Sequence, residues 1–162
     1  MTAISEQSLS NPAAFVGLYK RIIRQPEHIP FSLIQSAARV AVAHVFWQSA
    51  QSKLASWPVT LQLFANEYNL PLIDPSIAAP LATAAELTGS VLIFLGLFSR
   101  LAALMLLGVV SVIQIFVYPE NWAEHLLWAS LLLLVLTRGA GVLSLDRLAE
   151  RLFDRGSAGS ER

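Results

Sequence analysis

Four long apolar stretches dominate the pattern of hydrophobic and polar positions along the chain. The last three are rich in Leu and nearly continuous, which favours membrane-spanning helices, because backbone groups in lipid must find hydrogen-bond partners within their own segment. The first stretch is less hydrophobic and carries Arg, His and Gln within its helical pattern. The predicted spans cover about residues 33–53, 77–98, 101–118 and 122–137.

Shorter amphipathic segments accompany these spans. Residues 15–24 and 145–155 each place apolar side chains on one helical face and basic side chains on the other, as helices on an anionic membrane surface do. Between the first two spans, Leu61, Phe64 and Tyr68 share one helical face, which predicts a short interfacial helix. The predicted fold is therefore an all-α, polytopic membrane four-helix bundle with short amphipathic surface helices.

The same pattern divides the chain into three parts. Residues 1–32 form a cytoplasmic amphipathic segment, residues 33–138 form the domain of four transmembrane helices, and residues 139–162 form a cytoplasmic amphipathic tail. The first part lacks the basic, apolar and small-residue order of a signal peptide, so we expect it to be retained.

The basic residues predict the orientation in the membrane. Nine of them lie at span ends or in tails that face the same side, and the other side has only Lys53 near a span end, with acidic residues around it. By the positive-inside rule, both termini are predicted to be cytoplasmic, in a multi-pass protein of the inner (plasma) membrane. The nine residues are Lys20, Arg21, Arg24, Arg100, Arg138, Arg147, Arg151, Arg155 and Arg162.

The composition agrees with a membrane protein and excludes several function classes. Hydrophobic residues make up 55% of the chain and charged residues 14%, and the mean hydropathy is +0.57. The 11 basic and 11 acidic residues cancel, so no basic field favours nucleic acid. The chain has no Cys, which excludes disulfides, a CxxC redox pair and thiolate metal sites. Redox chemistry would therefore depend on a bound cofactor or a partner.

Glu86 places a carboxylate inside the second predicted span. An ionisable group at mid-membrane costs about 2.5–3.5 kcal/mol on insertion scales, so we expect it to face the bundle interior with a partner. At about 1.5 Å per residue, His44 lies at a similar depth and Arg39 somewhat nearer the cytoplasm, so the two cations compete for this acid. With Gln114 of the third span, these residues form the candidate buried polar site: Arg39, His44, Glu86 and Gln114.

Two interpretations of this group remain open. It is either a structural clamp that fixes helix register or a site for a proton or a quinone. Gln48 and His125 are secondary candidates; Gln48 is interpreted as an interhelical hydrogen-bonding residue and His125 as a solvated interfacial side chain. We predict no metal site, because His44, His125 and Glu86 lie at different depths and soft ligands are nearly absent.

Three strings of the sequence resemble the DoxX family of small four-helix membrane proteins. They are RVAVAHVFWQSAQSKL in the first span, AELTGSVLIFLGLFSRLAAL across the second and third, and RGAGVLSLD after the fourth. Together the resemblance covers roughly residues 33–146. Family members usually carry a Gly shortly before the Lys of the first span, where this chain has Ser49 and Ala50.

The resemblance also implies a class of function. The family includes membrane subunits of thiosulfate:quinone oxidoreductases and proteins associated with redox and sulfur-stress enzymes. We therefore expect an accessory or quinone-facing subunit of a redox or sulfur-linked membrane system. Quinone is its candidate cofactor, and the bilayer, a redox or sulfur-metabolism protein and a second copy are its candidate partners. The alternative is a non-catalytic membrane scaffold or small-solute carrier; short loops make an enzyme acting alone the poorest option.

Overall fold

The computed structural model describes residues 30–159, together with Val16 and Tyr19, and its side chains are described as far as Leu152. Apart from these two residues, the helix predicted over residues 15–24 lies outside the described part. Every regular element in that part is helical. In chain order they are α1 (Phe31–Ala55), α2 (Trp57–Leu63), a first π-helix (Phe64–Tyr68), α3 (Pro75–Leu95), α4 (Ser99–Val112), a second π-helix (Ile113–Val117), α5 (Trp122–Arg138) and α6 (Leu145–Gly159).

Helices α1, α3, α4 and α5 pack around one apolar core. α1 packs mainly against α3, and α4 packs against both α3 and α5. At Gly89 a Cβ atom would lie 2.7 Å from the Leu106 side chain, so the missing side chain lets α3 and α4 approach closely. The core residues are Val42, Ala43, Phe46, Ile93, Ala102, Ala103, Leu106, Val110, Leu132 and Val135.

Two helical segments of the described part are long and apolar enough to cross a membrane: Pro75–Leu95 and Ser99–Val117. Of the 18 most apolar consecutive residues in each segment, less than half are buried within the protein: 39% in the first and 22% in the second. Much of their apolar surface therefore points outward, as in Leu101, which is 67% exposed. Outward apolar faces are expected where the surrounding solvent is lipid.

The turn between α3 and α4 comes earlier in the chain than predicted and spans three residues, 96–98, instead of two. α3 was predicted to continue to residue 98 but ends at Leu95, because Gly96 adopts a left-handed conformation with φ of +66°. α4 then begins at Ser99, and its first N–H groups are capped by a distant side chain. The Asp146 carboxylate accepts hydrogen bonds from the backbone N–H groups of Phe98 (2.8 Å) and Ser99 (3.0 Å) and from the Ser99 hydroxyl (2.7 Å).

The predicted surface helices have counterparts in the structure. α2 and the first π-helix occupy the segment where an interfacial helix was predicted. α6 occupies the tail, and the Ser144 hydroxyl accepts a hydrogen bond from the Arg147 N–H at 3.3 Å and so caps its first turn. Leu148 and Leu152 are 53% and 60% exposed, so α6 leaves apolar side chains uncovered within the chain.

Candidate functional site

Glu86 pairs with Lys53, and its predicted pairing with His44 or Arg39 is wrong. The Lys53 ammonium donates to the two carboxylate oxygens at 2.8 and 3.0 Å and to the Ser49 hydroxyl at 2.7 Å. Glu86 is 1% exposed and Lys53 is 8% exposed, so the ion pair is internal. A buried charge is tolerated when it is both neutralised and hydrogen-bonded, and this arrangement meets both conditions.

The error came from assuming that the spans share a common outer end. Glu86 lies eleven residues into α3, or about 16 Å along its axis, whereas Lys53 lies in the last turn of α1. α1 therefore ends well short of the level where α3 begins. The chain turns back over this end, and the Thr60 hydroxyl donates to the Lys53 carbonyl at 2.7 Å. This offset places Lys53 at the depth of Glu86.

Arg39 is buried, but it binds backbone carbonyl groups instead of an acid. Its guanidinium joins the C-terminal end of α3 to the loop before α6 and meets carbonyl dipoles at a helix end, where a cation is favourable. It donates to the carbonyls of Ile93 (2.9 Å), Phe94 (2.6 Å), Ala140 (2.8 Å) and Leu143 (2.7 Å). Arg39 is therefore a clamp at the opposite end of the bundle from Lys53.

His44 and Gln48 lie on the outer face of α1. Both are exposed, and their side chains contact each other within the helix at 3.1 Å. His44 also lines a groove of about 360 Å³ between α1 and α3 that includes Ser90. Because the bond of Gln48 stays within α1, its predicted interhelical role is wrong, and neither residue contacts Glu86.

Gln114 and His125 form a separate polar pair. Gln114 Oε1 lies 2.7 Å from His125 Nδ1, and Gln114 Nε2 donates to the Pro119 carbonyl at 2.7 Å. His125 is only 3% exposed, and its ring lies 5.3 Å from the Trp128 ring. The prediction of a solvated interfacial histidine is therefore wrong; the ring is enclosed between Gln114 and Trp128.

A cavity of about 570 Å³ is lined by both residues of the Lys53–Glu86 pair and by His125 of the other polar pair. Lys53 and Glu86 line it from α1 and α3, and His125 and Trp128 line it from α5. The remaining walls are mainly apolar and include Leu81, Ala82, Ala85, Met105, Val109, Val112 and Ile113. Of the four residues predicted as one site, only Glu86 lines this cavity directly, while Gln114 reaches it through His125.

The two π-helices meet at the mouth of this cavity. The Tyr118 hydroxyl donates to the Glu67 carboxylate, and the rings of Tyr68 and Tyr118 pack edge to face with centroids 5.8 Å apart. The hydrogen bond to Glu67 raises the pKa of Tyr118, and burial raises the pKa of Tyr68. Phe64, Tyr68 and Tyr118 all line the cavity, so this aromatic cluster covers it.

The sequence carried a signal for Lys53 that the prediction did not use. Lys53 is the only basic residue near a span end on its side, inside the string that resembles DoxX. Ser49 bonds its ammonium and Ala50 is fully buried, so the two residues found where the family usually has Gly support the same site. Nothing in the sequence pattern pointed to Glu67 and Tyr118. Within the described residues, no group of three or more His, Asp or Glu side chains is placed to hold a metal ion.

Comparison with known families gives one match. The DoxX family matches residues 34–119, more than half of the chain. The matched region includes α1, both π-helices, α3 and α4, and therefore Lys53, Glu86 and the aromatic cover of the cavity. Searches of curated proteins and of solved structures gave no match.

Proposed function

Because the chain belongs to the DoxX family of small membrane proteins, we propose that α1, α3, α4 and α5 all cross the bilayer as a four-helix bundle. α3 and the α4 segment are apolar enough to do so by themselves. α1 packs along α3 and turns Arg39 and Lys53 inward, which accounts for its lower hydropathy without exposing charge to lipid.

We place both termini on the cytoplasmic side of the inner (plasma) membrane. Arg100, Arg138 and Arg147 surround one groove at the end of the bundle that Arg39 clamps, while Glu67 and Glu124 lie at the opposite, cavity-bearing end. The positive-inside rule assigns the arginine-rich end to the cytoplasm. Single cysteines test this directly, because the chain has none of its own.

Ala65→Cys is expected to react with a membrane-impermeant thiol reagent in intact cells, and Arg100→Cys only after lysis. Both side chains are exposed, so a lack of labelling reports the membrane and not burial. Labelling of Arg100→Cys in intact cells would reverse the proposed orientation.

Within this framework, the protein binds a small lipophilic ligand in the outer cavity as an accessory or quinone-facing subunit of a redox or sulfur-linked membrane system. The observation that carries this proposal is the cavity itself: about 570 Å³, largely apolar, with Lys53, Glu86 and His125 converging on it. Ligand sites of about 300–1,000 Å³ typically combine apolar walls with a few polar groups that orient the ligand. A quinone ring with its polar oxygens has this character.

Co-purification tests the ligand. Protein extracted in mild detergent is expected to carry quinone that organic extraction and absorbance identify. The matched variant Ala82→Trp fills the cavity wall and is expected to lose the quinone, whereas Ala41→Trp, on an exposed position of α1, keeps it. Equal quinone in both variants would place the lipid outside the cavity.

One observation favours the alternative, a scaffold or carrier in which the ion pair only stabilises the bundle. Within the described residues, no buried side-chain nitrogen or oxygen lacks a hydrogen-bond partner, so the Lys53–Glu86 network is complete without a ligand. Glu86→Gln separates the two roles, because it keeps the shape but removes the charge and the proton. Loss of function in a protein that remains folded in the membrane supports the ligand site, and full function supports the scaffold.

A further inference from the structure

The hydrogen bonds around Gln114 determine which nitrogen of His125 carries the proton. Gln114 Nε2 lies 2.7 Å from the Pro119 carbonyl, which is only an acceptor, so the NH₂ end of the amide must face Pro119. The amide oxygen then faces His125 Nδ1 at 2.7 Å. Because that oxygen only accepts, Nδ1 must donate, and the neutral ring holds its proton on Nδ1.

The second ring nitrogen of His125, Nε2, is consequently a lone-pair acceptor. Nε2 has no hydrogen-bond partner among the described residues. Every fully buried side-chain nitrogen in that part of the chain does have a partner, so Nε2 is not fully buried and is open to contact. His125 lines the outer cavity, and Trp128 packs beside its ring. The free acceptor capacity of this largely buried histidine is therefore available to an occupant of the cavity.

The charged groups that line the cavity do not add a free donor. The three N–H groups of the Lys53 ammonium are engaged by the two Glu86 oxygens and by Ser49. The Glu86 carboxylate has only acceptor oxygens. Among Lys53, Glu86 and His125, the donors are therefore engaged and acceptor capacity remains; the other donor groups in the lining belong to Ser49, Tyr68, Asn121 and Trp128.

We propose that His125 accepts a hydrogen bond from a ligand hydroxyl, so that the cavity selects a quinol or another phenol-class lipophile over the oxidised, carbonyl form. This inference rests on the proposed ligand site and adds a specificity-determining residue to it. A quinol O–H donates to Nε2. A quinone carbonyl oxygen is only an acceptor, so it would place its lone pair against that of Nε2 without a hydrogen bond. Gln114 acts as a positioning residue, because its amide fixes the tautomer of His125.

The test measures binding of three probes to the full-length protein in detergent by equilibrium dialysis without oxygen: a short-chain benzoquinol, its bis-methyl ether and the corresponding benzoquinone. A ligand that forms this hydrogen bond should bind about tenfold more tightly than one that leaves the acceptor unpaired. We therefore expect the quinol to bind about tenfold more tightly than either the ether or the quinone.

Variants locate this preference. His125→Phe is expected to bind quinol and ether equally while retaining its affinity for the ether, since ring shape and apolar walls remain. Gln114→Met, which frees Nδ1 without altering His125, is expected to reduce the preference and provides a second variant if His125→Phe fails to fold. The control His44→Phe removes an exposed histidine outside this cavity and is expected to keep the full preference.

The outcomes separate this inference from the proposed function. Equal binding of quinol and ether to the unmodified protein would overturn the role of His125 and leave a lipophile site in place. Failure of all three probes to bind would overturn both proposals. A preference that persists in His125→Phe would assign the hydroxyl contact to another residue and also overturn the inference.

Discussion

Lys53 and Glu86, 33 residues apart in the chain, are joined by N···O distances of 2.8 and 3.0 Å between α1 and α3. Both side chains are buried, and the Lys53 carbonyl also receives the Thr60 hydroxyl from α2. The pair therefore connects two bundle helices and the segment that covers the cavity. A change in either charge is expected to affect helix packing and the cavity wall together.

Breaking this ion pair should strongly destabilise the bundle. Lys53→Met or Glu86→Gln alone should lower the free energy of unfolding by about 3–5 kcal/mol, because each leaves a buried charge without its partner. The double variant should lose ~1–3 kcal/mol less than the sum of the two. Equilibrium unfolding in mixed micelles measures this coupling. His44→Gln combined with Glu86→Gln is the control, and coupling there would contradict the observed pairing.

Arg39 should be needed to hold the loop before α6 on the bundle. Arg39→Met leaves the carbonyls of residues 93, 94, 140 and 143 without their donor, at about 1–3 kcal/mol for each group that water cannot reach. We expect faster proteolysis after residue 139 in membranes opened to protease. Arg39→Lys should restore little, because a single ammonium cannot reach both carbonyl pairs. Arg100→Met, an exposed change at the same end, should leave cleavage unaltered.

Removal of the Asp146 carboxylate should loosen the first turn of α4. Asp146→Ala is expected to cost about 1–2 kcal/mol, as for loss of a helix cap, and Asp146→Asn less, because one amide oxygen still accepts. Hydrogen exchange at the amides of Phe98 and Ser99 measures the effect. The matched change Asp74→Ala removes the cap of α3, where hydrogen bonds from Ser76 hold the pKa of Asp74 below its usual value. It should leave α4 protected.

The cover of the cavity should weaken in alkali. The hydrogen bond to Glu67 raises the folded-state pKa of Tyr118 above its ordinary value of 10.0, so the folded protein retains this proton longer than the unfolded chain. Its contribution to stability is complete below pH 10 and is lost as the pH rises through the folded-state pKa. Thermal unfolding against pH should show this decline in the parent protein. It should be smaller in Tyr118→Phe, where Tyr68 still has a pKa raised by burial, and a decline of the same size there would exclude Tyr118 as its source.

Helix positions were predictable because apolar runs and helix-ending residues are local signals. The segments predicted at 33–53 and 122–137 correspond to α1 and α5 within two residues at each end. The predicted span extended past the real end of α3, because the apolar run continues to Phe98. The helix stops earlier, since Gly96 adopts a left-handed conformation. The π-helices were not predicted, since five-residue segments barely change the helical periodicity.

The candidate site was less predictable because it depends on how far each helix is displaced along its neighbours. Depth counted along each span placed His44 opposite Glu86, but the chain between α1 and α3 shifts their relative heights. Whether a polar residue on α1 faces inward also depends on rotation, which turns Arg39 and Lys53 toward the core and His44 away. Asp146 lies in the first turn of α6, but its oxygens bind the start of α4, a contact that no local pattern shows.

The distant cap on α4 has a consequence for biosynthesis. Asp146 follows all four bundle helices in chain order, so until it is synthesised the N–H groups at the turn between α3 and α4 lack this cap and depend on water for their hydrogen bonds. The same late segment delivers the carbonyls of Ala140 and Leu143 to Arg39. A nascent chain halted after Arg138 would contain all four bundle helices and still lack the residues that close the bundle.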